Sequence, residues 1–259
     1  MKRRLQAICL TLVLLMLSTL SVFAESVELH WYCVRNKANR QALAAPELRF
    51  VEELDGYYID HKHGDSDAER VVYLTFDAGY ENGNVEKILD TLKQTDTPGA
   101  FFVLRHLITA NPDLVRRMRD EGHLVCNHTA NHPNLSRATP ERIEQEIRAL
   151  EDAYRDTVGG EMPKYFRPPE GSFSRQMLKS VQRLGYKTVF WSFAYADWDN
   201  SKQPDPETAI RTVMTNMHNG AVLLLHPTSA TNAEILPRLI ALLREEGYRF
   251  GTLDELCGA

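Results

Sequence analysis

The stretch Val71-Val72-Tyr73-Leu74-Thr75-Phe76 indicates the fold, because it is apolar almost throughout and ends directly at the ionisable residue Asp77. Such an apolar run is typical of a strand buried on both faces, as in a parallel sheet covered by helices. Similar runs follow along the chain at residues 100–104, 124–127, 164–166, 188–193, 221–225 and 248–250. The sequence therefore predicts about seven parallel strands in one sheet.

Amphipathic stretches with helix start signals lie between the predicted strands. Asn111-Pro112, Thr139-Pro140 and Asp205-Pro206 each place a capping side chain before a proline at the first helical position. Strands and helices thus alternate about seven times, which is the order of an α/β protein with a parallel sheet. A closed barrel and a doubly wound sheet both satisfy this order.

The N-terminus of the 259-residue chain carries an export signal. Three basic residues at positions 2–4 precede an uncharged stretch over residues 5–24, which ends in Val22-Phe23-Ala24. This pattern predicts a signal peptide over residues 1–24 and a secreted or cell-wall protein, and the alternative is an uncleaved anchor at the outer face of the membrane. The rest of the chain has 27 basic and 35 acidic residues, and this acidity argues against nucleic acid as a partner.

Residues 25–69 do not follow the strand and helix alternation, and we predict that they cover a domain over residues 70–252. The aromatic side chains expected to pack in this cover segment are Trp31, Tyr32, Phe50, Tyr57 and Tyr58. Residues 61–69 are predicted to form a polar, solvated loop, and its two histidines are a poor metal signal in so polar a context.

Ionisable residues come at or just after the ends of five predicted strands: Asp77, His128, Arg167, Asp197 and His226. The carboxyl ends of parallel strands share one face, so we expect these side chains to meet in one site. His128 and His132 are four residues apart and can bind one divalent ion, and Pro133 favours a local turn over a long helix. A two-histidine site normally recruits an oxygen or sulfur ligand and keeps an open position for water.

Five short motifs contain these residues: TFDAGY at residues 75–80, HTANHP at 128–133, RPPEG at 167–171, DW at 197–198 and LLH at 224–226. In this order they resemble the motifs of the NodB-homology polysaccharide deacetylases, carbohydrate esterase family 4. The resemblance covers roughly residues 71–250. It implies a distorted (β/α) barrel and a hydrolase that uses a divalent metal to remove acetyl groups from N-acetylated sugars.

The same resemblance implies a role for each motif residue. Asp77 would be the general base, oriented and kept ionised by Arg167. His226 would be the general acid, held by Asp197. The metal ligands would be His128 and His132, and the substrate contacts would be Leu224, beside the acetyl methyl group, Tyr80 and Trp198.

One departure from the family pattern concerns the metal site. Most members carry a second Asp after the general base as a third metal ligand, and this chain has Ala78 there. Water would fill the vacant position, or Cys126 would, although a free cysteine is more often a core residue. Two histidines do not select among zinc, cobalt, manganese and nickel.

The runs TFDAGYENGN at residues 75–84 and WYCVRNK at 31–37 resemble the branch that acts on N-acetylmuramic acid and produces muramic δ-lactam in spore peptidoglycan. This implies peptidoglycan strands as the substrate, with Arg167 and the metal attracting the muramic carboxylate. Two alternatives stay open: a deacetylase of N-acetylglucosamine in chitin or wall glycan, and an inactive relative that binds glycan in the retained groove.

Overall fold

A computed structural model describes residues 25–34 and 38–258. The predicted signal peptide lies outside the described residues. Within the described ranges, no helix is both long enough and apolar enough to cross a membrane.

The strands of the described chain are β1 (Leu29–His30), β2 (Cys33–Val34), β3 (Leu43–Ala44), β4 (Gly56–Tyr57), β5 (Arg70–Ala78), β6 (Ala100–Val103), β7 (Leu124–Asn127), β8 (Tyr165–Phe166), β9 (Ser172–Phe173), β10 (Lys187–Val189), β11 (Phe193–Ala194), β12 (Ala221–Leu225) and β13 (Tyr248–Phe250). Nine of them form one sheet in the order β11-β12-β5-β6-β7-β8-β10-β4, with β13 beside the start of β5. All pairs in this sheet are parallel. In the described chain the strand order runs from β11 to β4 without closing into a ring, so the sheet forms a half-barrel, in agreement with the predicted distorted barrel.

Helices cover the outside of this half-barrel: α1 (Val85–Gln94), α2 (Arg105–Ala110), α3 (Pro112–Asp120), α4 (Pro140–Thr157), α5 (Arg175–Arg183), α6 (Pro206–Asn216) and α7 (Ala230–Glu245). The last helix of the described chain is α8 (Leu253–Cys257). Thr139 and Asp205 cap α4 and α6 through their side chains, as predicted. Asn111 makes no side-chain cap bond to α3, because it is also the residue on which α2 ends.

Two features of the sheet differ from the prediction. The run 188–193 is divided between β10 and β11, and β4 joins the sheet from the segment predicted to be a cover. The strand β4 has two residues, which are too few to give a periodic signal in the sequence. Its first residue must be glycine, because a Cβ on Gly56 would lie 2.6 Å from the carbonyl oxygen of Val51. Nine strands therefore replace the predicted seven.

The cover segment packs through most of its aromatic residues. Trp31 stacks on Phe190 with ring centroids 4.4 Å apart, and Phe50 and Tyr58 are buried in the same apolar cluster. Tyr32 is instead 49% exposed, and its hydroxyl donates to Glu47.

The histidines of the predicted polar loop also differ from one another. His61 lies at the surface against Glu52, whereas His63 donates to the buried carboxylate of Asp60 over 2.7 Å. The prediction of a solvated loop was therefore wrong for His63.

Alternate residues of the strands fill the inside of the barrel. Near the amino ends of the strands these residues form one buried cluster: Val71, Tyr73, Ala100, Phe102, Cys126, Tyr165, Val189 and Val222. Leu253, Leu256 and Cys257 of α8 pack against this cluster and close that end of the interior. Because side chains alternate along a strand, the inward positions continue towards the carboxyl ends as Thr75, Asp77, His128, Arg167, Leu224 and His226. The predicted site residues are thus the upper layers of the barrel interior.

Candidate active site

The five predicted strand-end residues come together at the carboxyl ends of the strands. Asp77, near the end of β5, accepts a 2.8 Å hydrogen bond from Nη1 of Arg167, which follows β8. Nε2 of His128, directly after β7, lies 3.5 Å from Oδ2 of Asp77. Asp197 and His226 form a second pair in which Oδ1 and Nδ1 are 2.7 Å apart.

Arg167 is fully buried, and nearly all of its donors are used. Beyond the bond to Asp77, Nη2 donates to Oγ1 of Thr75 over 2.8 Å and to the carbonyl of Phe190 over 3.1 Å, and Nε donates to the carbonyl of Val189 over 2.9 Å. The guanidinium also lies 4.1 Å from the ring centre of Phe102. The expectation that Arg167 attracts a substrate carboxylate was therefore wrong, because this side chain is enclosed by the protein.

The charge of Arg167 acts on Asp77. Burial alone would raise the pKa of this carboxyl group, but the guanidinium and the neighbouring imidazoles of His128 and His226 hold the pKa below its ordinary value. Asp77 is therefore ionised at neutral pH and has a carboxylate oxygen, Oδ2, that Arg167 does not occupy.

The ring of His128 is fixed as one tautomer. Its Nδ1 lies 2.8 Å from the carbonyl oxygen of Arg167, which can only accept, so Nδ1 carries the proton. Burial lowers the pKa of His128 to about 4, so the ring is neutral at pH 7. Nε2 therefore presents a free lone pair, which is the state a metal ligand requires.

His132 is held beside His128 by a strained turn. The two rings are nearly perpendicular with centroids 5.0 Å apart. Thr129 has φ 70° and His132 has φ 57°, values that non-glycine residues adopt only when the surroundings impose them. Here the backbone N–H of Thr129 donates to Asn127, and that of His132 donates to Oγ1 of Thr129. The turn predicted at Pro133 is present.

A third anchor holds the same turn. Asn131 donates to the buried carboxylate of Glu146 on α4 from both its backbone and its side chain, each over 3.0 Å. Glu146 also pairs with Arg142 over 2.6 Å. The helix α4 therefore fixes the position of the exposed ligand candidate, His132.

These residues fit a divalent metal only in part. His128 and His132 supply two imidazole donors, but the described residues contain no group of three or more His, Cys, Asp and Glu side chains that could hold a metal ion. Ala78 is buried and has no donor. Cys126 lies one layer lower in the barrel, and burial raises the pKa of its thiol well above the ordinary value, so Cys126 is a core residue.

The second pair orients His226. The carboxylate of Asp197 accepts from Nδ1 of His226 over 2.7 Å and from its backbone N–H over 2.8 Å. Burial would lower the pKa of His226, but the hydrogen bond and charge of Asp197 outweigh it and raise this pKa above the ordinary value. Nε2 is the ring nitrogen that Asp197 does not bind, and 25% of the side chain is exposed.

The predicted substrate contacts lie around this pair. Trp198 is 61% exposed, with its ring centroid 6.3 Å from that of His226. Tyr80 is 43% exposed, and its hydroxyl accepts a 2.7 Å hydrogen bond from Asn200. Leu224 is almost fully buried beside Thr75 in the neighbouring strand. Trp198 thus lies beside His226, and Tyr80 is linked through Asn200 to the segment that follows Trp198.

Sequence reasoning did not find the residues that support the site from behind. Thr75 was part of an apolar run, and its polar character was the only available signal. Asn232 on α7 is buried and donates to Asp197 over 2.6 Å, yet no motif contains it. Glu146 sits on the buried stripe of an amphipathic helix, where a charge was the one sign of a special role.

Comparisons with known proteins agree with this geometry. The polysaccharide deacetylase family model matches residues 64–189. Peptidoglycan-N-acetylmuramic acid deacetylase PdaA from Bacillus subtilis is 38% identical over 229 residues, which are 88% of this chain and 85% of that protein. The chain belongs to the polysaccharide deacetylase family. It is a family 4 carbohydrate esterase, a hydrolase that acts on amide bonds.

Solved structures extend the similarity to the fold. The structure of Bacillus subtilis PdaA, a family 4 carbohydrate esterase, matches with a TM-score of 0.84 at 37% identity, over 89% of this chain and 97% of that chain. Peptidoglycan-N-acetylglucosamine deacetylase from Bacillus cereus is 34% identical over 73% of this chain and 88% of its own. A family 4 pseudoenzyme from Bacillus anthracis matches with a TM-score of 0.70 at 26% identity, over 78% of this chain and 68% of that chain.

Proposed function

We propose that this protein is a secreted, metal-dependent deacetylase that removes the acetyl group from N-acetylmuramic acid in peptidoglycan. The observation that carries the proposal is the pair of oriented groups at the carboxyl ends of the strands, Asp77 with Arg167 and His226 with Asp197. The similarity to PdaA over most of both chains supports the muramic substrate. The liberated amine is suited to cyclise with the lactyl carboxylate, which gives the muramic δ-lactam of spore cortex.

Amide hydrolysis needs a base and an acid in different protonation states, and the site provides them. Asp77, with its lowered pKa, takes a proton from water as the water oxygen bonds to the acetyl carbon. The C–N bond then breaks, and Nε2 of His226, with its raised pKa, gives its proton to the leaving amine. The products are acetate and an amine. At a pH between the pKa of Asp77 and that of His226, Asp77 is ionised and His226 is protonated, as the reaction requires.

His128 and His132 are the side chains that would hold the metal, with water and substrate in the remaining positions. A divalent ion there would polarise the acetyl carbonyl and lower the pKa of the attacking water. The neutral state of His128 and the anchored turn of His132 are what this chain itself contributes. Two nitrogen donors accept several divalent metals, so we do not assign one.

The surrounding side chains shape the substrate site. Leu224 would bound the acetyl methyl group, since it is the apolar inward residue between Val222 and His226. Trp198 and Tyr80 would contact sugar rings through their exposed faces. The buried Arg167 does not reach the muramic carboxylate, so attraction to this group must come from the metal or from groups nearer the surface.

Two alternatives rest on specific observations. Similarity to the Bacillus cereus enzyme favours N-acetylglucosamine as the acetylated sugar. The buried Ala78 and similarity to a pseudoenzyme favour an inactive glycan-binding protein. Retention of both the base and the acid argues against the inactive alternative, because glycan binding needs neither.

Acetate release from defined wall fragments tests the proposal. We expect turnover on glycan without stem peptide, loss of turnover on chelation, and recovery when one divalent metal is restored. Asp77→Asn should lower the rate by about 10²-fold or more, the scale for loss of a general base. Glycan binding without turnover under any divalent metal would support the inactive alternative.

A further inference from the structure

The carboxylate that holds His226 is itself held by an asparagine. Nδ2 of Asn232 donates to Oδ2 of Asp197 over 2.6 Å and to the backbone carbonyl of His226 over 3.1 Å. Its Oδ1 accepts from the hydroxyl of Tyr195. Asn232 is 1% exposed and therefore has no alternative partner in solvent.

The orientation of the Asn232 amide follows from its partners. Asp197 as a carboxylate and the His226 carbonyl can only accept, so the NH₂ group must face them, and the oxygen is left for Tyr195. Asn232 lies in the first turn of α7, where its backbone N–H donates to Oγ of Ser229 over 3.0 Å. The amide therefore sits on the rigid start of a helix.

A second contact ties the loop that bears Asp197 to the same helix end. Nε2 of Gln203 donates to the Asp197 carbonyl over 2.9 Å. Its Oε1 accepts from the hydroxyl of Ser229 over 2.5 Å. Backbone and side chain of Asp197 are thus both fixed against α7.

We propose that Asn232 is a positioning residue for the general acid. Asn232 and the backbone N–H of His226 both donate to Oδ2 of Asp197, which leaves Oδ1 for Nδ1–H of His226 and Nε2 as the ring nitrogen that gives the proton. This inference rests on the proposed role of His226. The charged and titratable groups that face His226 are Asp197 after β11, Asp77 on β5 and Arg167 after β8. Asn232 is neutral, and it acts on His226 by fixing the position of the Asp197 carboxylate.

Removal of the amide should therefore weaken the hold of Asp197 on His226. We expect Asn232→Ala to lower kcat by about 10- to 100-fold, the usual cost of losing an orienting partner, with KM nearly unchanged. The alkaline limb of the pH–rate profile should move to lower pH. Burial lowers the pKa of His226, and a misplaced Asp197 would oppose this effect less strongly. Asn216→Ala, which removes an amide that donates to Thr212 and Thr215 of its own helix α6, is the matched control and should leave the profile unchanged.

Asn232→Leu separates positioning from packing. It keeps a similar side-chain volume and adds no charge, but it removes the amide that donates to Asp197. We expect a loss of kcat similar to that in Asn232→Ala. A folded Asn232→Leu protein with wild-type kcat and an unchanged alkaline limb would overturn the proposal, even if Asn232→Ala failed to fold.

A direct titration of His226 keeps this test independent of the substrate. Nitrogen-15 NMR of the imidazoles, assigned with His226→Gln, should give a lower His226 pKa in Asn232→Leu than in the wild type. Unchanged titration and tautomer would overturn the positioning role. Absence of acetate release by the wild type would instead contradict the proposed function, and the titration result would still stand.

Discussion

Replacement of Arg167 by glutamine would test the buried ion pair that prepares Asp77. The variant removes the charge and leaves Asp77, Thr75 and the carbonyls of Val189 and Phe190 without their donor. Loss of one partner from a buried pair typically costs about 3–5 kcal/mol. For a chain of this size that corresponds to a decrease in Tm of about 6–20 °C.

The same variant should change the pH dependence in a defined direction. The guanidinium lowers the pKa of Asp77 against the effect of burial, so its removal must raise that pKa. The acid limb of the kcat/KM profile should move to higher pH, and misplacement of the base should lower kcat by about 10²-fold even on the plateau.

Differential scanning calorimetry and acetate release measured across pH provide the two readouts. Arg183→Gln is the matched control, because Arg183 is exposed and donates to Ser180 of its own helix. The Tm of this control should stay close to that of the wild type. A folded Arg167→Gln protein with wild-type Tm and an unchanged acid limb would refute the account of this pair.

Three further predictions concern other parts of the chain. Glu146→Gln removes one acceptor from the anchor of Asn131, so affinity for the divalent ion should fall by about 10- to 100-fold in calorimetric titration; equal affinity would contradict the role of this anchor. Asp60 accepts from Tyr73, His63 and the backbone of Lys62, and these bonds lower its pKa against burial. Its stabilising effect is thus present above the ordinary carboxyl pKa and lost as pH falls through the lowered value. Asp60→Asn should cost about 1–3 kcal/mol in urea unfolding at pH 7 and much less at strongly acidic pH; a pH-independent difference would argue against an ionised Asp60. We also expect export with cleavage after Ala24, which intact mass spectrometry would reveal, whereas a retained leader would indicate an anchor.

The sequence predicted the strands of the barrel well where they are long and buried. The run before Asp77 became β5 because continuous apolar residues suit a strand covered on both faces. It did not predict β4, because two residues have no periodicity and the pairing with β10 arises from distant parts of the chain.

The residues of the site also fall into those that the sequence predicted and those that it did not. Asp77, His128, Arg167, Asp197 and His226 were predictable because strand ends meet at one face. The enclosure of Arg167 was not, since two of its acceptors are backbone carbonyls, which have no sequence signature. Asn232 was missed for a related reason: its partner lies 35 positions away and only the fold brings them together.

The most direct test of the central claim is to locate the lost acetyl group. Peptidoglycan strands without stem peptide would be treated with the wild-type protein and with Asp77→Asn, digested to disaccharides, and sequenced by tandem mass spectrometry. We predict loss of acetyl from the muramic residue with the wild type, and no loss above background with the variant. Loss from the glucosamine residue alone, or equal loss with both proteins, would contradict the account.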